Sequence, residues 1–341
     1  MVSLKDISAA CGVSIATVSK ALNNHNDVSE ETKERIRKTA MNLGYMPNSA
    51  AKALKTNRTY NLGILFVDEA QSGLTHDYYA ALLDSFKRHA EALGYDLTFI
   101  NSNTTRSNRM SYLAHARYRG FDGVCIACVD FYDPDVVELV RSNIPIVTID
   151  HVFDNRMVIQ SDNVAGIRDL VNYIYQRGHR KIAYIHGFDS AVTQARLASF
   201  YKTCYDLGLT IPDEYIVEAA YRDTDTTYAR TMELLKLKEP PTCILYPDDF
   251  ATLGGMNAVR AKGLTIGKDI SIAGYDGIRL GRHLEPKLTT IRQDTEAIGA
   301  QAAEKLIALI ERPKTTLVEH VMIEGTLFEG ETVGEIKPEL K

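Results

Sequence analysis

From residue 61 to residue 290 the apolar positions follow two alternating patterns. Short, mostly apolar runs occur at NLGILFV (61–67), YDLTFIN (95–101), DGVCIACV (122–129) and PIVTID (145–150). Between them, at 78–93, 107–119 and 134–142, apolar residues recur every three or four positions, the period of an amphipathic helix. The same rhythm restarts with KIAYIHG (181–187), CILYPD (243–248) and DISIAGYD (269–276), with helical stretches at 193–207 and 250–262. Strands alternating with helices at this spacing predict parallel sheets covered by helices on both faces. Two such series, about 61–160 and 161–290, predict two similar lobes. Ligands of open α/β sheets bind beyond the carboxyl ends of the strands, so facing lobes would share one cleft.

The first 46 residues read differently. Leu4, Ile7 and Cys11 share one side of a short helix, and Gly12 follows where a tight turn needs a positive φ. Ser14 can cap a second helix to about Leu22, with Val18, Ala21 and Leu22 facing inward. Ser29 can cap a third, with Ile36, Ala40 and Leu43 inward and Gly44 as its stop. Ala16 and Lys20, flanked by Ile15 and Ser19, point outward from the second helix. Two short helices joined by a glycine turn suit a helix-turn-helix, whose second helix enters the DNA major groove. Ile15 and Ala16 would then touch base edges or thymine methyls, and Lys20 would donate to guanine or phosphate. Thr17 and Ser19 would fix the register on the backbone. Periodicity alone fits an ordinary three-helix cap with a solvated face equally well.

Charge adds an asymmetry. The 341 residues carry a net charge of −5, yet residues 1–60 hold nine Lys/Arg against five Asp/Glu. A mildly basic head on an acidic body can hold a polyanion at one end. No apolar run approaches the roughly 20 residues of a membrane span, and no export signal precedes the head, so a cytoplasmic protein is expected. Five cysteines argue against a disulfide framework, and Cys125 and Cys128 sit inside a strand-like run, where core packing is expected. Between head and body, PNSAAKALK offers Asn48 as the cap of a helix of less than two turns, with Ala51 and Leu54 on one face. So short a helix is unstable alone and would form on pairing with a second copy over DNA.

The strand ends supply candidate ligand chemistry. Asp150, Asp248, Asp249 and Asp276 follow apolar runs, Arg196 lies early in a helix, and Tyr78–Tyr79 opens another. Carboxylates with one arginine match the donors and acceptors of a sugar, and tyrosine rings match its apolar face. Each aspartate taken singly could equally be a helix cap.

The segment LKDISAACGVSIATVSKALNNHNDVSEETKERIRKTAMNLGYMPNSAAKALKT resembles the head of the lactose/galactose repressor (LacI/GalR) family nearly end to end. The motif G-V-S-x-x-T-V-S-x-x-L-N, then V-S-x-x-T and L-G-Y-x-P-N, is far more specific than a helix-turn-helix pattern. GHRKIAYIHG, GLTIGKDISIAGYDG and LEPKLTTIRQDTEAIGAQAAEKL extend the resemblance through the body. It implies a helix-turn-helix head (1–46), a hinge (47–60) and a two-lobed body (61–341) similar to periplasmic sugar-binding proteins. The lobes would be about 61–160 plus 293–320, and about 161–290 plus 321–341. It implies DNA contacts from Ser14, Ile15, Ala16, Thr17, Ser19, Lys20, Asn23, Asn48 and Ala51, with Leu54 as a wedge between minor-groove base steps. Arg196 and Asp276 match the main ligand anchors, and Asp150, Asp248 and Asp249 match further polar positions. Tyr78–Tyr79 match an aromatic pair, and Gln293 lies at a crossover within reach of the ligand. RLASF and YDG depart from the usual forms, and the DEAQSGLTHDYY loop is longer than typical, which leaves the ligand's identity open.

No phosphate-loop, nucleophile-elbow or H-E-x-x-H motif occurs, so no catalytic residue, metal site or cofactor is expected. The expectation is a homodimeric repressor of carbohydrate genes on a pseudo-palindromic operator, responding to a mono- or disaccharide. The alternatives are a nucleobase effector in the same architecture, or a sugar-binding protein with no regulatory role. No heptad tail follows LVEHVMIEG, so dimers are expected rather than tail-linked tetramers.

Overall fold

A computed structural model describes residues 2–46, 53, 58–68, 72–101 and 110–336. The chain divides into two compact units, Met1–Thr59 and Tyr60–Lys341. In the first, α1 (Leu4–Cys11) opens on a capping box in which Ser3 and Asp6 satisfy each other's backbone N–H groups. Gly12, at φ 64°, turns the chain into α2 (Ile15–Leu22), capped by Ser14. Ser29 caps α3 (Glu30–Asn42), whose first turn carries Glu30 and Glu31 against the positive helix end. Ile7, Cys11, Val18, Ala21, Val28, Ile36 and Ala40 form the core of this unit. Leu43, expected inward, is exposed because α3 ends at Asn42 and the chain leaves the core there, while Tyr45 packs in its place.

Among the described residues the second unit has two six-stranded sheets. The first-lobe sheet runs β11 (His320–Ile323), β5 (Met157–Ser161), β4 (Ile146–Ile149), β3 (Gly123–Cys128), β1 (Asn61–Phe66), β2 (Asp96–Phe99), all parallel. The second-lobe sheet runs β12 (Thr326–Phe328), β10 (Thr289–Arg292), β9 (Ser271–Asp276), β8 (Cys243–Leu245), β6 (Ile182–His186), β7 (Ile216–Glu218). Only the β10–β12 pair of this second sheet is antiparallel.

Alternate residues of each strand feed opposite layers, as the two-residue period requires. Leu62 and Ile64 pack with α4 (Asp77–Ala92) and α11 (Thr295–Glu311), whereas Leu65, Val124 and Ile126 pack with α5 (Tyr112–Arg119) and α6 (Pro134–Val140). Cys125 lies in the first of these layers, fully buried, and Cys128 sits three positions on, at the strand end. Cys128 lines the cavity between the lobes rather than packing in the core with Cys125. Among the described residues no group of three or more His, Cys, Asp or Glu side chains could hold a metal ion. In the second lobe α7 (Asn163–Gln176) and α8 (Ala191–Asp206) cover one face, and α9 (Thr224–Leu234) and α10 (Thr252–Ala261) the other.

The chain crosses between lobes three times, after β5, after β10 and after β11. The third crossing therefore falls after Ile323, not at residue 320, because β11 is still paired with β5. Periodicity passed over β5 and α7 because MVIQSDNVAGIRDLVNYIYQ joins strand to helix through Asp162 alone, without turn residues. No helix among the described residues is long and apolar enough to cross a membrane.

Candidate functional site

A cavity of about 390 Å³ opens between the lobes, at the carboxyl ends of the strands. Tyr78, Tyr79, Asp150, Arg196, Asp276 and Gln293 all line it. Asp150 follows β4 directly and Asp276 ends β9, the corresponding position of the other sheet. Both hold a positive φ, 59° and 106°. An L-residue adopts that backbone only where its surroundings over-determine it, and such strain clusters at functional sites.

Arg196 anchors the inner wall. Its Nε donates to Asn163 Oδ1 at 2.7 Å, its Nη1 donates to the Pro247 carbonyl at 2.9 Å, and its guanidinium lies 3.6 Å from the Tyr275 ring centre. That leaves Nη2 directed at the cavity, 3.9 Å from Asp276 Oδ1. Asp276 Oδ1 also accepts from Gln293 Nε2 at 2.7 Å. Across the cleft, the Tyr78 hydroxyl donates to Asp150 Oδ2 at 3.2 Å, and the Ser161 N–H donates to Oδ1 at 3.2 Å. Burial pushes Asp276 up to about 7, with Arg196 opposing the shift and Asp248 and Asp150 reinforcing it. Burial raises Asp150 too, against its Ser161 hydrogen bond and the Arg196 charge. His76, at the same wall, falls to about 4, from burial first and then from the Arg222 charge.

Asp248 and Asp249 are corrected here: they do not line the cavity. Asp248 Oδ1 accepts from the Ala251 N–H at 2.7 Å, and Oδ2 accepts from the Arg222 N–H at 2.8 Å. Asp249 accepts from Thr290 Oγ1 at 2.6 Å and from the Ile278 N–H at 2.8 Å. β8 ends at Leu245, so by Asp248 the chain has turned under the neighbouring loops, and both carboxylates bind backbone there. Asp248 closes the turn that leads into α10, whose N-cap, Ala251, carries no side-chain cap bond.

The cavity also takes in side chains that sequence reasoning missed, namely His76, Phe131, Tyr132, His151, Phe188 and Tyr221. Phe131 and His151 stack with ring centres 4.3 Å apart and planes 6° from parallel, and Phe188 meets Tyr221 edge-on at 5.1 Å. The signal was available. Phe131 follows β3 and Phe188 follows β6, so the rule that located Asp150 and Asp276 locates them as well.

In the first unit, Ser14, Ile15, Ala16, Lys20 and Asn23 are exposed, and Thr17 and Ser19 partly so. Ser14 Oγ accepts from the Thr17 N–H at 3.0 Å, and Asn23 Nδ2 donates to the Ser19 carbonyl at 2.7 Å. Lys20 is paired with Asp27. Asn48, Ala51 and Leu54 lie outside the described residues.

Residues 3–48 match the family described as "Bacterial regulatory proteins, lacI family", and residues 171–333 match "Periplasmic binding protein-like domain". The chain is 31% identical over 319 residues to the probable HTH-type transcriptional repressor ExuR of Bacillus subtilis, covering 92% of this chain and 93% of that protein. It is 28% identical over 349 residues to the HTH-type transcriptional repressor PurR of Pectobacterium carotovorum, covering 98% of each. A solved lac repressor dimer, bound to operator and the anti-inducer ONPF, superposes with a TM-score of 0.81 at 25% identity, covering 97% of this chain and 98% of that one.

Proposed function

This chain belongs to the LacI family of bacterial regulatory proteins, and from that premise we propose how this DNA-binding transcriptional repressor reads its operator and its effector. The relatives are repressors and not enzymes. In our reading α2 enters the major groove. Ile15 and Ala16 stand exposed on its free face to meet base edges, and Ser14, Thr17, Ser19, Lys20 and Asn23 hold the register on the backbone. Lys20 must leave Asp27, or share it, to reach DNA. The pair is half exposed on both sides, so breaking it costs little. Two copies of the chain would read a pseudo-palindromic operator, since a two-fold dimer presents identical reading heads. Asn48, Ala51 and Leu54 would form the hinge, with Leu54 as the minor-groove wedge.

The effector reading rests on one observation. Two raised carboxylates and one buried guanidinium face each other across a cavity walled by aromatic rings. Arg196 Nη2 and the Asp276 oxygen not taken by Gln293 can donate to and accept from neighbouring hydroxyls. Asp150 offers a second acceptor, and the ring faces cover the C–H side of a sugar. Asp68, Asp130 and Asp189 also line the cavity, and this excess of carboxylates over one guanidinium disfavours a phosphorylated or carboxylated ligand. The effector is therefore a neutral mono- or disaccharide, acting by binding one lobe arrangement better than the other.

Thermal unfolding of the full chain against neutral, acidic and phosphorylated sugars and nucleobases tests this. A ligand of the folded state raises Tm in a saturable way. A shift from a neutral sugar that also changes operator retention supports the reading. A shift confined to a nucleobase or an acidic sugar overturns the neutral-sugar assignment.

A further inference from the structure

Arg222 makes contacts outside both the reading head and the cavity lining. It sits in the second lobe between β7 and α9, in the left-handed backbone region at φ 57°. Its N–H is held by Asp248 Oδ2 at 2.8 Å, and its guanidinium packs 4.5 Å from the Phe250 ring centre. From there the side chain, only 8% exposed, crosses to the first lobe. Nε donates to Ser72 Oγ at 3.0 Å, Nη1 donates to Asp77 Oδ2 at 3.1 Å, and Nη2 reaches the Thr75 carbonyl at 3.5 Å.

The residues at both ends of this bridge adjoin the cavity walls. Asp77 lies between His76 and Tyr78–Tyr79, which form the first-lobe wall, and Arg222 follows Tyr221, which belongs to the second-lobe wall. Tyr221 is itself fixed by Thr193 Oγ1 at 2.8 Å. We infer that Arg222 is a positioning residue of the effector site, clasping Tyr221 and the His76–Tyr79 segment in register across the cleft. Asp248 is its brace, which gives that carboxylate a purpose outside the cavity. The role of the site rests on the effector reading; the clasp itself does not.

The fork geometry explains the residue type. Three acceptors spread over a side-chain hydroxyl, a carboxylate and a carbonyl suit a planar guanidinium, whereas a lysine ammonium reaches fewer of them at once. The strained backbone is the cost of aiming the side chain outward, and the Asp248 hydrogen bond offsets it.

Hydrogen exchange on the ligand-free full chain reads the clasp directly. The amides of Thr75, His76 and Ala80 donate to the carbonyls of Ser72, Gly73 and His76, so they report on the first-lobe segment. In Arg222→Ala these amides should exchange severalfold faster although the substitution is in the other lobe, and Arg222→Lys should restore part of the protection. The double variant S72A/D77N leaves Arg222 and its brace untouched. It should speed exchange at Ala219 and Arg222, again across the cleft. Faster exchange confined to the lobe carrying each substitution, or no change, overturns the inference. The sugar panel fails or succeeds independently, because this measurement contains no ligand.

Discussion

Asp276 concentrates the opposing demands on this site. Burial pushes it up to about 7, so the folded chain holds a proton there that the unfolded chain, near the usual carboxylate value, has lost. From about pH 4 to 7 stability therefore falls as pH rises, and above 7 the buried charge is a constant cost. Asp276→Asn keeps the shape and an acceptor for Gln293 but never ionises. Chemical denaturation should find it more stable than the parent chain at pH 8, by on the order of 2 kcal/mol, with the gain shrinking as pH falls from 7 and gone only near pH 4. A sugar hydroxyl that donates to Asp276 selects the ionised form, so affinity for the sugar found by thermal shift should rise from pH 6 to pH 8. The asparagine variant should bind far more weakly and lose that pH dependence in calorimetric titration. The part of this site written in the sequence was the strand-end position. Whether an aspartate turns into the cleft, as Asp150 and Asp276 do, or under a loop, as Asp248 and Asp249 do, depends on long-range partners such as Thr290 and Ile278.

Among elements, the packing of α11 on α4 decides how the first lobe holds together although its helices lie some 200 residues apart in sequence. Gly299 lets the two backbones meet. A Cβ there would stand 2.4 Å from the Leu82 carbonyl oxygen and 2.7 Å from the Phe86 nitrogen. Backbone atoms cannot swing aside, so overpacking outweighs the helix propensity that alanine brings. Gly299→Ala should lower stability by roughly 1–3 kcal/mol, read as a lower denaturation midpoint. Most of the strand-and-helix series was legible because its period is local, but β5, α7, β7 and α9 were passed over. The assignment of β11 to the first sheet and β12 to the second was not legible, because strands of four and three residues on either side of the crossing carry the same mixed pattern and only pairing separates them. In the head, α2 was legible on both faces. Its buried Val18 and Ala21 leave Ala16 outward, and in the proposed docking a carboxylate there would meet the phosphate-lined groove. Ala16→Glu should abolish binding to an operator selected in vitro, by gel shift, while the melting of the body stays unchanged.

For the whole molecule, the proposed function requires that an effector in the cavity of one compact unit alter DNA binding by α2 in the other. The two units have separate cores, and in the proposed reading the coupling would run through the hinge and a second copy of the chain. Leu54→Ala tests the wedge assignment: DNA bending and operator affinity should fall while the thermal shift from the effector persists. Normal bending by that variant would remove Leu54 from the role. The effector can shift operator binding only as far as it prefers one lobe arrangement over the other, and that coupling is reciprocal. If the sugar weakens operator affinity by some factor, saturating operator must weaken sugar affinity by the same factor, since both measure one free-energy difference. Titrating sugar with and without operator DNA checks this without assuming which lobe arrangement is favoured. Unequal factors would mean that the two ligands engage different equilibria, for instance dimer assembly for one and lobe arrangement for the other. Equal factors would place both on the same two states.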